Sequence, residues 1–208
     1  MNNNTFKSYW LVGLITPIYY FVLMESLAHL WTGYSSIAQH MSELGGVESP
    51  YKDIMNYAGF AGVGVLIISF RIGFYCKFKS SNLWLQLASL MLFVGGLFMI
   101  VVAFFPCDPH CIDVTRTGRL HTLTSIPQSI ALPTAAILAG FGFAQLADWS
   151  KKWLWVSIVL GSASMLAGPL LSVEWLKDYV GLIQRFGIGF SLLWIWVVSL
   201  ELFKNRLP

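Results

Sequence analysis

The sequence predicts an all-α polytopic membrane protein. We expect a single six-transmembrane-helix bundle over residues 1–208, with a short amphipathic helix in its first outer loop. Three observations predict it. Of 208 residues, 56% are hydrophobic and only 11% charged, against about 25% charged in an average soluble domain. Mean hydropathy is +0.66, and nine Trp and fifteen Phe suit the aromatic belts at two membrane interfaces. Six apolar runs are each long enough for a hydrocarbon core of about 30 Å, which takes about 20 helical residues. β-Barrel alternation is absent, so only helices can satisfy the backbone polar groups in lipid. The net charge of +3 is scattered, without a basic run. It gives no footing for nucleic acid, and membrane lipid is the partner that composition implies.

The spans fall at approximately 9–30, 54–75, 83–105, 120–146, 153–173 and 182–203. The first contains Ser26-Leu27-Ala28, a passable small-x-small cleavage site. Its apolar run is longer than a signal h-region, so the N-terminus is expected to be retained. Lys7, Arg71, Lys77, Lys79, Lys151, Lys152, Lys204 and Arg206 fall on one side of this topology. Lys52, Arg116, Arg119, Lys177 and Arg185 fall on the other, eight against five. The positive-inside rule then predicts that both termini are cytoplasmic, in a cell or inner membrane. All four histidines gather at the outer face.

Glu25 and His29, spaced i, i+4, share a face at the outer end of the first span. An ionisable residue within a span usually faces the bundle interior or a watery cavity. The connection that follows, GYSSIAQHMSELGG, reads as the short helix. Ser36 with Gln39 fits a capping box, and Gly45 or Gly46 can end it. Ile37, Met41 and Leu44 would form its apolar stripe, with Ser36, His40 and Glu43 beside them.

The third span ends at Pro106 and Pro109, within FPCDPHCIDVTRTGRLHTLTSIP. Cys107 and Cys111 are the only cysteines on this side, so a local disulfide is the leading reading in an oxidising compartment. The alternative is a metal held by Cys107, Asp108, His110 and Cys111, ligand types that suit zinc. The fourth span opens near Arg119. His121, Ser125 and Gln128 stand at i, i+4, i+7 as a polar stripe entering the membrane, and Pro127 loosens the helix there. The sixth opens with GLIQRFGIG, where Gly181, Gly187 and Gly189 permit close packing beside Arg185.

At these residues the chain resembles domain-of-unknown-function family 998. SELGG (Ser42–Gly46), FPCD (Phe105–Asp108), GRLH (Gly118–His121) and GLIQR (Gly181–Arg185) carry the resemblance, in matching order along most of the chain. It implies a six-helix fold and no particular reaction. A looser similarity is to the alkaline-ceramidase and progestin-receptor-like membrane hydrolases, which bind zinc through histidines and an aspartate near a serine. This chain departs from them in having six spans and no histidine in the last.

Three functions fit the outer polar residues. One is a lipid or headgroup hydrolase or transferase at the outer leaflet. His121 would be its general base or metal ligand, Asp108 the orienter or a second ligand, and Ser42 or Ser35 the nucleophile. Arg119 and Arg185 would receive a phosphate or carboxylate headgroup. The second is a non-catalytic binder or transporter of a lipid or small molecule, with His40, Glu43, Glu25 and Gln128 also lining its pocket. The third is a structural clasp. No cofactor is identifiable, and a metal, if one binds, is assigned to His29, His121 and Asp108. A common site requires His121 within one or two side chains of Asp108 and Arg185. It also requires the first, fourth and sixth spans to be neighbours. Burial would make both arginines seek Glu43, Asp108 or Glu25.

Overall fold

The computed structural model describes residues 3–204; Arg206, counted above in the charge balance, lies outside them. Six helices are long and apolar enough to cross a membrane, and no strand occurs among the described residues. We label them α1 (Asn3–Leu30), α2 (Ile54–Phe78), α3 (Leu83–Val102), α4 (Arg116–Phe143), α5 (Lys152–Leu170) and α6 (Val180–Lys204). Short connections make consecutive helices antiparallel neighbours, and α1 also packs on α6, so the six close into a ring. α4 reaches across to touch α6 as well.

Small residues let the ring close. A Cβ built on Gly64 of α2 would lie 2.5 Å from the Gly96 carbonyl of α3, so these two backbones are in direct contact. Without a hydrophobic force between helices in lipid, such close van der Waals approach is what holds neighbours together. The two ends of the ring are filled differently. At the end where α2 and α4 finish, Phe74, Phe78, Phe143, Trp149, Trp153 and Trp194 interlock. Phe143 stacks on Trp149 at 3.8 Å, and the Trp194 indole donates to Ser157 at 2.9 Å. The other end, which bears the 31–53, 103–115 and 171–179 connections, is not plugged. That loop-rich end holds the cavity described below.

Two boundaries differ from the hydropathy reading for a local reason. α3 stops at Val102 and α4 starts at Arg116, four residues early, because Thr115 caps it by accepting from the Gly118 N–H at 3.1 Å. The first loop does carry a short helix, but it is a 3-10 turn over Met41–Gly45 that begins after His40. Ser36 is not its cap. Ser36 lies in a preceding turn, and Glu43 closes the box by accepting from the His40 N–H at 2.8 Å. Leu44 is fully buried and Met41 packs on the core, whereas Ile37 is exposed. The apolar stripe is therefore two residues long.

Candidate functional site

Inside the loop-rich end is a cavity of about 450 Å³. α4 supplies its polar wall, because His121, Ser125 and Gln128 recur at helical spacing and all line it. The loop residues His40, Met41 and Ser42 roof it, and Gln184 and Ser191 of α6 close the far side. Phe60, Met99, Val102 and Leu132 form an apolar floor. No Asp, Glu, Lys or Arg is among the lining residues.

His121 is buried, and its Nδ1 lies 2.7 Å from the Phe105 carbonyl. A carbonyl only accepts, so Nδ1 carries the proton, and in the neutral ring Nε2 keeps its lone pair. The orienter of His121 is thus backbone, and Asp108 was the wrong expectation for that place. Both Asp108 oxygens are engaged elsewhere. Oδ2 accepts from the Val114 and Thr115 N–H groups at 2.9 and 2.7 Å, and Oδ1 accepts from the Thr115 hydroxyl at 2.8 Å. The Thr115 backbone N–H, then its hydroxyl, hold Asp108 below the usual carboxylate range, with Val114 adding to them against burial. A Cβ on Gly118 would collide with this carboxylate, so the glycine in GRLH makes room for it.

Cys107 and Cys111 are bridged, with Cα atoms 5.0 Å apart. His110 and Cys111 adopt left-handed φ values of 55° and 51°, rare for residues with a Cβ. That pair of backbone conformations turns the chain back on itself and brings the sulfurs together. Ser42 Oγ lies 3.2 Å from Cys111 Sγ. A bridged sulfur carries no proton, so the serine donates. Both sulfurs and one ring nitrogen of His121 lie within 4.8 Å of one another. These three are the grouped metal-ligand types among the described residues, with the two sulfurs bonded to each other. The group takes its cysteines from one metal set expected from sequence and His121 from the other, and leaves out Asp108, His110 and His29. His29 is exposed on α1 and joins neither cluster.

A second polar cluster sits beside the cavity. Arg185 is buried, and its Nε donates to Glu25 Oε1 at 2.7 Å. Its remaining donors reach the Gly181 carbonyl, the Tyr34 hydroxyl and the Ser36 hydroxyl, each at 3.2 Å. Ser36 in turn donates to Glu25 Oε2 at 3.0 Å. This group ties α1, the first loop and α6 together. It connects to the cavity through Tyr34, whose hydroxyl donates to the His40 carbonyl at 2.9 Å. Arg185 itself does not line the cavity.

Glu43 is buried under the same roof, accepting from Gln39 at 3.2 Å and lying 3.7 Å from His110. His40 Nδ1 is buried and has no hydrogen-bond partner among the described residues. Burial pushes the His40 imidazole below its ordinary value, with the Glu43 charge and the Gln184 side chain opposing. Ser35 accepts from the Ala38 N–H at 3.2 Å, a turn role away from the cavity. Arg119 is exposed and has no ion-pair partner among the described residues, so the expectation that it pairs with a carboxylate fails. Its position one residue past the glycine that faces Asp108 turns it outward. Sequence reasoning missed Gln184, which accepts from the Met41 N–H at 2.7 Å and pins the roof to α6. Its place beside Arg185 in GLIQR was the available signal.

Residues 14–201 match the family model described as Protein of unknown function (DUF998). No curated protein and no solved structure matches the chain.

Proposed function

The chain belongs to the DUF998 family and is an integral membrane protein, and from that premise we propose that its cavity binds an uncharged amphiphilic small molecule or lipid. The observation that carries this reading is the chemistry of the lining. A polar wall of His, Ser and Gln faces an apolar floor across about 450 Å³, with no charged side chain present. That volume lies within the range of about 300–1,000 Å³ usual for small-molecule sites. An anionic headgroup buried there would lack a partner cation, at a cost of several kcal/mol. Arg185 does not supply one, being held by Glu25. On this reading His40, Ser42, His121 and Gln128 hold the ligand's polar end, while Glu25, Glu43, Asp108 and Arg185 hold the walls in place. The lysine and arginine balance supports placing the loop-rich end outside and both termini in the cytoplasm.

Catalysis is the second reading, favoured by Ser42, His40 and His121 sharing one cavity. A hydrolase or transferase would use the Ser42 hydroxyl as nucleophile, with a histidine as base. The Ser42 partner within reach is Cys111, and no histidine nitrogen contacts its hydroxyl, which favours binding over acyl or headgroup transfer.

The test is co-purification. Wild type and Ser125→Trp, which fills the cavity from α4, are isolated in the same detergent and their bound lipids extracted and identified. A neutral amphiphile enriched with wild type and absent from the variant is expected. Identical profiles, or enrichment of an anionic lipid, would refute the proposal. Release of a cleaved product from lipid by wild type but not by Ser42→Ala would establish the catalytic reading instead.

A further inference from the structure

We propose that Cys107, Cys111 and His121 form a redox-gated zinc site in the cavity wall: a disulfide when oxidised, and a three-ligand Zn²⁺ centre with an open fourth position when reduced. Both sulfurs, joined by their bond, and one ring nitrogen of His121 already lie within 4.8 Å of one another. Tetrahedral zinc, at about 2.3 Å from sulfur and about 2.0 Å from nitrogen, needs ligand atoms roughly 3.5–3.8 Å apart. Opening the bridge lets the two sulfurs separate toward that spacing, while their Cα atoms start 5.0 Å apart on a turned-back loop.

The surroundings are those of a ligating histidine. A metal-bound His characteristically donates its other ring N–H to a carbonyl or carboxylate, which sets the tautomer and the ring plane. Here the Phe105 carbonyl already takes Nδ1 at 2.7 Å, leaving Nε2 as the ligand. Cys107 is 1% exposed and Cys111 lines the cavity, so the site is dry on one side and accessible on the other. Ser42 Oγ, 3.2 Å from Cys111 Sγ, can donate to a thiolate as it does to the bridge. Two cysteines and a histidine with the fourth position open is the ligand set of a catalytic rather than a structural zinc. His40, whose buried Nδ1 lacks a partner, lines the same cavity and is available to a fourth-position water. The two other ligand types on this loop are placed elsewhere. Asp108 is saturated by Val114 and Thr115, and His110 is 71% exposed beside Glu43.

The chemistry balances with a dithiol as reductant. Its two sulfurs join in their own disulfide, and two electrons and two protons pass to Cys107 and Cys111. Zn²⁺ then displaces both thiol protons as two Zn–S bonds form, and the His121 lone pair makes the third bond.

The site shares His121 and the cavity wall with the pocket proposed above but needs no occupant there, and the probe is the metal alone. Full-length protein carrying Cys76→Ser is reduced with dithiothreitol, freed of it anaerobically, and titrated with Co²⁺ followed by Zn²⁺. We expect one Co²⁺ per chain, with thiolate-to-cobalt charge transfer and intense tetrahedral d–d bands that Zn²⁺ erases. The oxidised protein should bind none. His121→Ala should weaken binding at least about tenfold, while His110→Ala should leave it unchanged. His121→Cys, which keeps a ligand there, should retain the stoichiometry and add charge-transfer intensity. The proposal is overturned by a reduced protein with no cobalt spectrum, by His121 variants that bind as wild type does, or by His110→Ala being the variant that fails.

Discussion

Replacing Glu25 with Gln removes one charge from the Arg185 cluster while keeping its shape. The cost follows from how unequally the two partners are buried, with side-chain exposures of 8% for Arg185 and 46% for Glu25. Breaking a fully buried pair costs about 3–5 kcal/mol, because the remaining ion is left uncompensated. An exposed pair is worth about 0–1 kcal/mol. Arg185 would keep its bonds to Gly181, Tyr34 and Ser36, and the open side of Glu25 admits solvent. An intermediate loss of about 2 kcal/mol is therefore expected, or roughly 4–8 °C in Tm for a chain of this size. The double variant Glu25→Gln/Arg185→Met should lose less than the two single losses added together, since no charge is then stranded. Thermal unfolding in detergent, run as a double-mutant cycle, measures this. A Glu25→Gln loss below about 0.5 kcal/mol with zero coupling would refute the view that this pair ties α1 to α6.

Acid sensitivity should trace to Asp108. Its folded-state value is depressed, so its contribution to stability is complete above the ordinary carboxylate range and is lost as pH falls through the folded value. Asp108→Asn should flatten the acid limb of a stability–pH curve, and an unchanged limb would contradict this. Gly64→Val should force α2 from α3 and destabilise the bundle by about 1–3 kcal/mol, read from the same thermal assay. Alkylation under denaturing, non-reducing conditions should add a single label at Cys76, seen by intact mass. Three labels would show that Cys107 and Cys111 are not bridged.

The helices were legible in one dimension, and the site largely was not. Crossing lipid requires about 20 apolar residues in succession, a property a sequence displays without reference to anything distant. So the six helices appear where hydropathy put them, with shifts of a few residues at the ends. The α4 stripe was legible for a similar reason, because helical spacing alone places His121, Ser125 and Gln128 on one wall. The bridge was expected from two cysteines four residues apart, but its geometry depends on left-handed backbone at His110 and Cys111. Partner choice was decided only in three dimensions. Glu25, Glu43 and Asp108 were equally eligible for Arg185, and two of them went to backbone N–H groups instead. Asp108 holds the entry to α4, and Glu43 holds the start of the Met41–Gly45 turn. A buried loop must satisfy its N–H groups, and a nearby carboxylate does so without recruiting a distant cation. That local demand left Glu25 for Arg185, gave His121 a carbonyl as its orienter, and put Arg119 at the surface. Sequence determined which residues would meet at one end of the ring; the competition between backbone and side-chain partners, settled only once the ring closed, determined which of them face the cavity.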